Sequence, residues 1–259
     1  MSTRAEQHTA TLLRRERLSD HLLRLVLGGL HDFASTGVPD EWVGLVVPGQ
    51  FQSRYYTVRS FDPAAGDLVL DVVVHDVGLV TEWAQLDGIE GQQVVVTDPK
   101  GSFALPDDAG WLMLVGDLTA MPAMARILER CELPATVWAE VPERLPSYLP
   151  ERGEVHWLAQ PGDGQSALAE VVGDLSWPEG PGYFWMAGES SQMRAIRKHL
   201  MREVRLPSTH YDVMGYWRGG QGRQPRAVDP GPIWRAGKAA GKSDEQIWAD
   251  YDAAREEQA

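Results

Sequence analysis

Along the first hundred residues, apolar and polar side chains alternate in short segments separated by turn signals. Such alternation predicts half-buried strands, because successive side chains of a strand point to opposite faces. The pattern predicts strands at residues 9–19, 21–28, 42–47, 53–60, 67–75 and 92–97, and a short helix at 78–86. Short strands with turns between them are typical of an antiparallel β-barrel or sandwich.

Beyond the turn-like residues 105–110 the pattern changes, and continuous apolar runs alternate with segments of helical spacing. Strands are predicted at 111–115, 135–141, 154–158, 183–187 and 210–217, and helices at 123–131, 166–175 and 192–204. This order is typical of a parallel α/β sheet. We therefore predict an N-terminal antiparallel β-barrel domain at 1–107 and an α/β parallel-sheet domain at 108–220. A C-terminal tail at 221–259 would hold a basic loop and a helix at 243–256.

Composition narrows the class of protein. The 259 residues are 43% apolar and 24% charged, with Cys131 as the single cysteine. One cysteine excludes an intrachain disulfide, a CxxC zinc site and a cysteine-ligated iron–sulfur cluster. No long apolar run predicts a transmembrane helix and no secretory signal is recognised, so we expect a cytoplasmic protein. The net charge of −13 disfavours nucleic acid and anionic membranes, so an anionic substrate would need a local basic pocket.

The predicted strand at 53–60 carries an unusual mixture of side chains. Alternation puts Arg54, Tyr56 and Val58 on one face and Tyr55, Thr57 and Arg59 on the other. A tyrosine ring can cover a flat heterocycle, a threonine hydroxyl can bond its polar edge, and an arginine can clamp a phosphate. The segment therefore suggests a planar, anionic ligand. The alternative is an ordinary antiparallel strand with a charged outer face.

A second candidate stretch is Gly116-Asp117-Leu118-Thr119-Ala120-Met121-Pro122, at the end of the first predicted parallel strand. Ligands of α/β sheets bind beyond the carboxyl ends of such strands. The stretch is not a G-x-G-x-x-G fingerprint, and the chain contains none. It can also be explained as a strand-to-helix turn with a threonine N-cap.

These stretches together resemble a known family. Arg54, Tyr56 and Thr57 match the R-x-Y-S/T flavin signature of ferredoxin-reductase-like flavoproteins. The longer form R-x-Y-T-x-R, completed by Arg59, resembles the siderophore-interacting proteins, which are FAD-dependent ferric-siderophore reductases. Further stretches agree with that family in order and rough spacing. They are residues 71–75 (DVVVH), 83–84 (WA), 116–122 (GDLTAMP), 187–189 (AGE) and 215–218 (GYWR). The resemblance covers roughly residues 9–220.

The resemblance implies an FAD site on the barrel. Tyr56 would cover the isoalloxazine, Thr57 would bond its edge or the ribityl chain, and Arg54 and Arg59 would address ribityl and pyrophosphate oxygens. The other implied FAD contacts are Tyr55, Asp71, Val73, His75, Gly78, Leu79, Val80, Thr81, Trp83, Asp117, Thr119, Ala120, Tyr216 and Trp217. Residues 78–81 would be the loop that holds the FAD phosphates. The loop at 76–81 departs from the family pattern, with Asp76 in place of glycine and Leu79 in place of proline.

The same resemblance implies an electron donor and a substrate. NADH or NADPH would meet Gly116, Asp117, Thr119, Gly188, Glu189 and Arg194, and the choice between the two stays open. A ferric siderophore would meet Arg218, Arg223, Arg226 and Lys238, the basic stretch of an acidic protein; the alternative is a solvated tail. The function implied is ferric-siderophore reduction by NAD(P)H through FAD, without protein metal ligands. The alternatives are a reductase fed by a ferredoxin, and a non-catalytic flavin or siderophore carrier.

Overall fold

The computed structural model describes residues 6–50, 52–74, 78–162 and 165–218, together with residues 240, 242 and 246. Four of the candidate site residues lie outside the described residues: His75, Arg223, Arg226 and Lys238. Apart from Gln246, so does the predicted helix at 243–256.

Six antiparallel strands close into a barrel in the order β1-β2-β5-β4-β3-β6. They are β1 (Gln7–Ser19), β2 (Leu22–Gly28), β3 (Trp42–Val46), β4 (Arg54–Asp62), β5 (Asp67–Val73) and β6 (Gln93–Thr97). Alternation decides which side chains face inward. Leu68, Leu70 and Val72 of β5 are fully buried in the barrel core. The short helix α1 (Leu79–Gln85) packs Val80 and Trp83 against the same core. The predicted strands are confirmed, and they form a barrel.

The second half is a five-stranded parallel sheet in the order β11-β10-β7-β8-β9. Its strands are β7 (Leu112–Asp117), β8 (Ala135–Val141), β9 (Glu154–Ala159), β10 (Tyr183–Glu189) and β11 (Tyr211–Trp217). The helices are α2 (Met121–Arg130), α3 (Leu168–Asp174) and α4 (Met193–His199). The strand order reverses between β7 and β10, and in open α/β sheets the ligand crevice lies outside the carboxyl ends at such a point. Among the described helices, none is long and apolar enough to cross a membrane.

Several element boundaries differ from the prediction, and three of the differences lie in the helices and strands of the parallel-sheet half. Helix α2 begins at Met121, directly after a 3₁₀ turn at Leu118–Ala120, rather than at residue 123. Pro122 is tolerated there because the first turn of a helix needs no backbone N–H donor. Strand β10 continues through Gly188 to Glu189, because these residues still pair with β11. Helix α4 is followed by a π-helical segment, Leu200–Val204.

A buried arginine holds the barrel and the sheet together. Arg126 of α2 is 3% exposed, and its guanidinium donates to the Val58 carbonyl at 2.6 Å and to Glu41 Oε1 at 3.0 Å. Glu41 is fully buried and also accepts hydrogen bonds from Ser35 and Thr36. Every oxygen of this buried carboxylate therefore has a donor, which offsets the cost of removing the charge from water. The contact fixes how β4 faces the sheet.

The buried carboxylate of Glu41 should make stability depend on pH. Burial alone raises its pKa, but hydrogen bonds from Ser35 and Thr36 and the Arg126 charge outweigh burial and leave the pKa below 4.5. Because the pKa of Glu41 is lower in the folded protein than its ordinary value of 4.5, the ionised group stabilises the fold at pH values above 4.5. This stability is lost as the pH falls from 4.5 through the pKa of the folded protein. We expect urea unfolding to show a loss of up to about 1.4 kcal/mol per pH unit from this group. Glu41→Gln should lose that part of the slope, and an unchanged slope would contradict the assignment.

Candidate functional site

A cavity of about 310 Å³ opens between the barrel and the parallel sheet, and we call it the central cavity. Strands β4 and β5 form one side, and the turn after β7 and the end of β11 form the other. It is lined by Ser53, Arg54, Tyr55, Tyr56, Thr57, Asp71, Val73, Thr119, Tyr216 and Trp217. All of these except Ser53 are candidate cofactor contacts from the sequence. The fold therefore brings together candidate residues from four separate stretches of chain.

Strand β4 presents its aromatic and basic side chains to this cavity. Tyr56 packs against the barrel core, and burial raises its pKa to about 12, so its hydroxyl stays neutral. Tyr55 is 68% exposed. Arg54 is exposed and makes no hydrogen bond or ion pair with any described residue. The cavity thus combines two aromatic rings with an arginine that is available to an anion.

Two buried hydroxyls in the central cavity have no hydrogen-bond partner among the described residues other than each other. They are Thr57 Oγ1 on β4 and the Tyr216 hydroxyl on β11. Burial raises the pKa of Tyr216 as well, so this hydroxyl remains a neutral donor and acceptor. Buried polar atoms in folded proteins nearly always have a partner, and an unpaired one calls for an explanation. Two in one aromatic cavity fit a flat ligand with a polar edge.

Asp117, which ends β7, is tied to its surroundings rather than free. Its Oδ1 accepts from the Thr119 backbone N–H at 2.9 Å and from the Thr119 hydroxyl at 2.5 Å. Its Oδ2 accepts from Trp217 Nε1 at 2.6 Å. Burial raises the pKa of Asp117 although these hydrogen bonds lower it. The carboxyl group therefore joins the turn after β7 to the end of β11, the two elements that form the sheet side of the cavity.

Two glycines allow this close approach. A Cβ atom on Gly116 would lie 2.4 Å from the Cβ of Ala120, and one on Gly188 would lie 2.7 Å from Asp117 Oδ2. Neither position has room for a side chain without displacing its neighbour. Gly116, Gly188 and Ala120 thus shape the crevice through packing, whatever they contact when a ligand is bound.

A further cavity of about 410 Å³ lies at the carboxyl ends of β7, β8 and β9, and we call it the edge cavity. It is lined by His21, Val73, Val74, Asp117, Leu118, Thr119, Glu140, Pro142, Gln160 and Trp217. Glu189 lies near the same edge, but both of its carboxylate oxygens have partners, the Ser166 backbone N–H at 3.0 Å and the Ser191 hydroxyl at 2.7 Å. The edge cavity is adjacent to the central cavity, and the two share Val73, Thr119 and Trp217.

Some candidate residues have other partners. Arg59 forms a two-point ion pair with Glu129 of α2, at 2.6 and 3.1 Å, and does not line the central cavity. Asp71 lines it, but its two oxygens accept from Arg24 at 2.8 and 2.9 Å, and the Tyr148 hydroxyl donates to one of them. A flavin contact for either residue stays a prediction.

Helix α1 holds the candidate phosphate loop against the barrel. Thr81 donates its hydroxyl to the Val73 carbonyl at 3.2 Å, and Trp83 donates to Gln92 at 2.8 Å, so both side chains have internal partners. The space beside Gly78 is open, since a Cβ there would meet only Thr81 Oγ1, at 3.8 Å. Leu79 is partly buried. Arg194 and Arg218 are exposed and line none of the cavities described above.

Sequence reasoning did not single out Glu41, Arg126, Tyr148 or Glu140. The first three act through partners far away in the chain, and no local pattern marks such contacts. Glu140 did carry a signal, because it is the one charged residue in the otherwise apolar stretch of β8. A buried acid at the carboxyl end of a parallel strand is a recognised ligand position.

Comparison with known proteins gives a consistent result. A siderophore-interacting FAD-binding domain model matches residues 50–103, and a siderophore-interacting protein model matches residues 109–220. The chain is 27% identical over 250 residues to the mycobactin import ATP-binding/permease protein IrtA of Mycobacterium tuberculosis, a match covering 87% of the chain but only 28% of IrtA. It is 28% identical over 237 residues to the NADPH-dependent ferric-chelate reductase of Escherichia coli, covering 80% of the chain and 91% of that protein.

Solved structures agree with these matches. A siderophore utilization protein from T. fusca superposes with a TM-score of 0.73 and 26% identity, covering 84% of this chain and 94% of that one. Ferredoxin reductases share the fold at lower identity. The family models, the relatives and the fold all agree with the motifs that line the central cavity. The chain therefore belongs to the siderophore-interacting protein family.

Proposed function

We propose that the protein is an FAD-dependent ferric-siderophore reductase that takes electrons from NADH or NADPH. The observation that carries the proposal is the pair of neighbouring buried hydroxyls, Thr57 Oγ1 and Tyr216 OH, which no other described residue bonds, in an aromatic cavity between a barrel and a parallel sheet. The barrel side of that cavity lies in the match to a siderophore-interacting FAD-binding domain. In this proposal residues 1–107 bind FAD and residues 108–220 bind the nicotinamide cofactor.

The residues of the central cavity suit the isoalloxazine of FAD. Tyr55 and Tyr56 offer ring faces to a flat heterocycle. Thr57 and Tyr216 offer hydroxyls to its polar edge, and the exposed Arg54 offers a charged fork to ribityl or phosphate oxygens. We retain residues 78–81 as the proposed phosphate loop.

The carboxyl edge of the sheet suits the electron donor. Gly116 leaves room for Ala120 and Gly188 leaves room for the Asp117 carboxylate, and Asp117 holds Trp217 beside the central cavity. A dinucleotide at this edge would lie next to the flavin site, because the edge cavity and the central cavity are adjacent. A ferric siderophore, often an anion, would be attracted by the exposed Arg218 and the basic residues that follow it in sequence.

FAD would supply the electron chemistry, because a flavin accepts two electrons from a nicotinamide and can pass them singly to Fe(III). The chain's own work is to bind, orient and shield. The aromatic wall limits the access of water to the central cavity, and the Asp117–Trp217 hydrogen bond keeps the sheet side in place. Siderophore oxygens hold Fe(II) far less tightly than Fe(III), so reduction releases the metal. No side chain has to act as a general base for electron transfer.

Anaerobic spectroscopy tests the proposal. The purified protein should show, or take up, an oxidised flavin spectrum that bleaches on addition of NADH or NADPH. Adding a ferric siderophore with an Fe(II)-trapping chelator should restore the oxidised spectrum and colour the trap. Free FAD with heat-denatured protein is the control for chemistry in solution. A protein that takes up no FAD would overturn the proposal. If only a reduced ferredoxin bleaches the bound flavin, the electron donor is a ferredoxin rather than NADH or NADPH. If no donor bleaches it, the protein is a flavin or siderophore carrier.

A further inference from the structure

Glu140, near the carboxyl end of β8, has a buried carboxylate oxygen that makes no well-formed hydrogen bond with the described residues. The residue is 2% exposed and lines the edge cavity. Its Oε1 accepts from the Ala167 backbone N–H at 2.8 Å, whereas its Oε2 is buried and, apart from the nearby Ser166 side chain, has no hydrogen-bond donor in the described part of the chain. Leaving a buried acceptor without a donor is unfavourable, because the oxygen has lost its water without gaining a partner. An oxygen kept at that cost beside a cavity indicates a donor that arrives with a ligand.

The neighbouring acids do not share this property. Asp117 uses both oxygens on Thr119 and Trp217, and Glu189 uses both on Ser166 and Ser191. Burial raises the pKa of Glu140, although hydrogen bonds from the Ala167 N–H and the Ser166 side chain lower it. The charges of Asp117 and Glu189 raise the pKa further, so two other acids lie close to this carboxylate. None of the described residues lining the edge cavity is a lysine or an arginine. The described lining thus offers an acceptor and no permanently charged cation, with His21 as its single basic side chain.

The position of Glu140 in the sheet indicates which class of ligand it could bind. Strand β8 is next to β7 on the side away from the reversal in strand order. In doubly wound sheets that bind dinucleotides, an acidic residue about 20 residues beyond the first strand-to-helix turn bonds the ribose hydroxyls of NAD. Glu140 has that position relative to Asp117 and the 3₁₀ turn after it. Gln160, after β9, adds an amide to the same cavity.

We propose that Glu140 accepts hydrogen bonds from the ribose hydroxyls of the nicotinamide dinucleotide, and that it thereby selects NADH over NADPH. This inference rests on the proposed function and names its electron donor. A 2′-phosphate would bring roughly −1.5 to −2 charges toward this carboxylate, in a cavity whose described lining has His21 but no lysine or arginine. The E. coli relative is named for NADPH, so the proposal distinguishes this chain from that relative.

Direct binding of the oxidised dinucleotides tests the selection without turnover. We expect calorimetry on the FAD-loaded protein to show NAD⁺ binding at least about tenfold tighter than NADP⁺. Glu140→Gln keeps an oxygen for the Ala167 N–H and replaces the free oxygen by an uncharged donor. It should weaken NAD⁺ binding and bring the ratio close to one. Glu154→Gln, at the opposite end of the same sheet, removes the same charge and should leave the ratio unchanged.

Three results would overturn the inference. The first is a wild-type protein that prefers NADP⁺ or binds neither dinucleotide, and the second is an unchanged ratio in a Glu140→Gln protein with wild-type melting temperature. The third is loss of FAD from that variant with an unchanged ratio, which would put the flavin's own ribose against Glu140. If NADPH bleaches the flavin as readily as NADH does, the proposed selectivity for NADH is wrong, but the proposed reductase function still stands. Absence of FAD uptake would remove the reductase itself.

Discussion

Replacing Arg126 by methionine should lower the free energy of unfolding by about 3 kcal/mol or more, because it leaves a buried carboxylate without its counter-charge. Arg126 is 3% exposed and its partner Glu41 is fully buried. The substitution also removes the donor to the Val58 carbonyl on β4, the strand that carries the candidate flavin motif. Glu41 would keep its bonds from Ser35 and Thr36, so the loss should fall at the lower end of the range for broken buried pairs. Urea unfolding at neutral pH measures it.

A matched control and a second substitution separate charge from packing. Arg130, one turn later on α2, is exposed and donates to the Gly37 carbonyl. Arg130→Met should therefore cost less than about 1 kcal/mol, as exposed polar contacts generally do. Adding Glu41→Gln to Arg126→Met should recover part of the loss, because no unpaired charge then stays buried. Equal losses for the two arginines, or no recovery in the double variant, would show that the buried pair is not what joins the two halves.

The fold could be predicted because each strand shows a local pattern of apolar and polar residues. Strand β5 alternates so regularly that Leu68, Leu70 and Val72 could be assigned to the core from the sequence, and the continuous apolar strands β7 and β10 identified the parallel sheet. Closure of the barrel depends on which strands pair, and alternation within one strand carries no information about that. The predicted start of α2 at residue 123 is two residues late, because Pro122 sits in the first turn of the helix, where proline is tolerated.

The site was predictable to a smaller degree. The central cavity collects residues already marked on β4, β5 and β11, since strand position alone brings them to one region. The contacts of Arg59 could not be predicted from the sequence. The pairing of β4 with β5 shifts between Val58 and Ser60, so Arg59 lies in a bulge, where simple alternation no longer sets the direction of a side chain. Its ion pair with Glu129 and the bond of Tyr148 to Asp71 depend on tertiary contacts that no local pattern encodes.

Removing the Arg54 side chain should produce the largest change in flavin binding. Arg54 is exposed, lines the central cavity and has no protein partner among the described residues, so its charge is free for a ligand phosphate. A charge-assisted hydrogen bond is worth roughly 1.5–3 kcal/mol, so Arg54→Ala should weaken FAD binding about 10- to 100-fold with little change in melting temperature. Fluorescence titration of the apoprotein with FAD measures the affinity. The FAD affinity of Arg54→Lys should lie between those of the wild type and Arg54→Ala, because lysine keeps the charge but cannot make the two-point hydrogen bond of a guanidinium.

A matched control is Arg14→Ala, which removes an exposed arginine from β1, away from the cavities, and should bind FAD as the wild type does. Full FAD affinity in Arg54→Ala would show that other residues hold the phosphates. Arg54 would then be only a solvated charge on the outer face of β4.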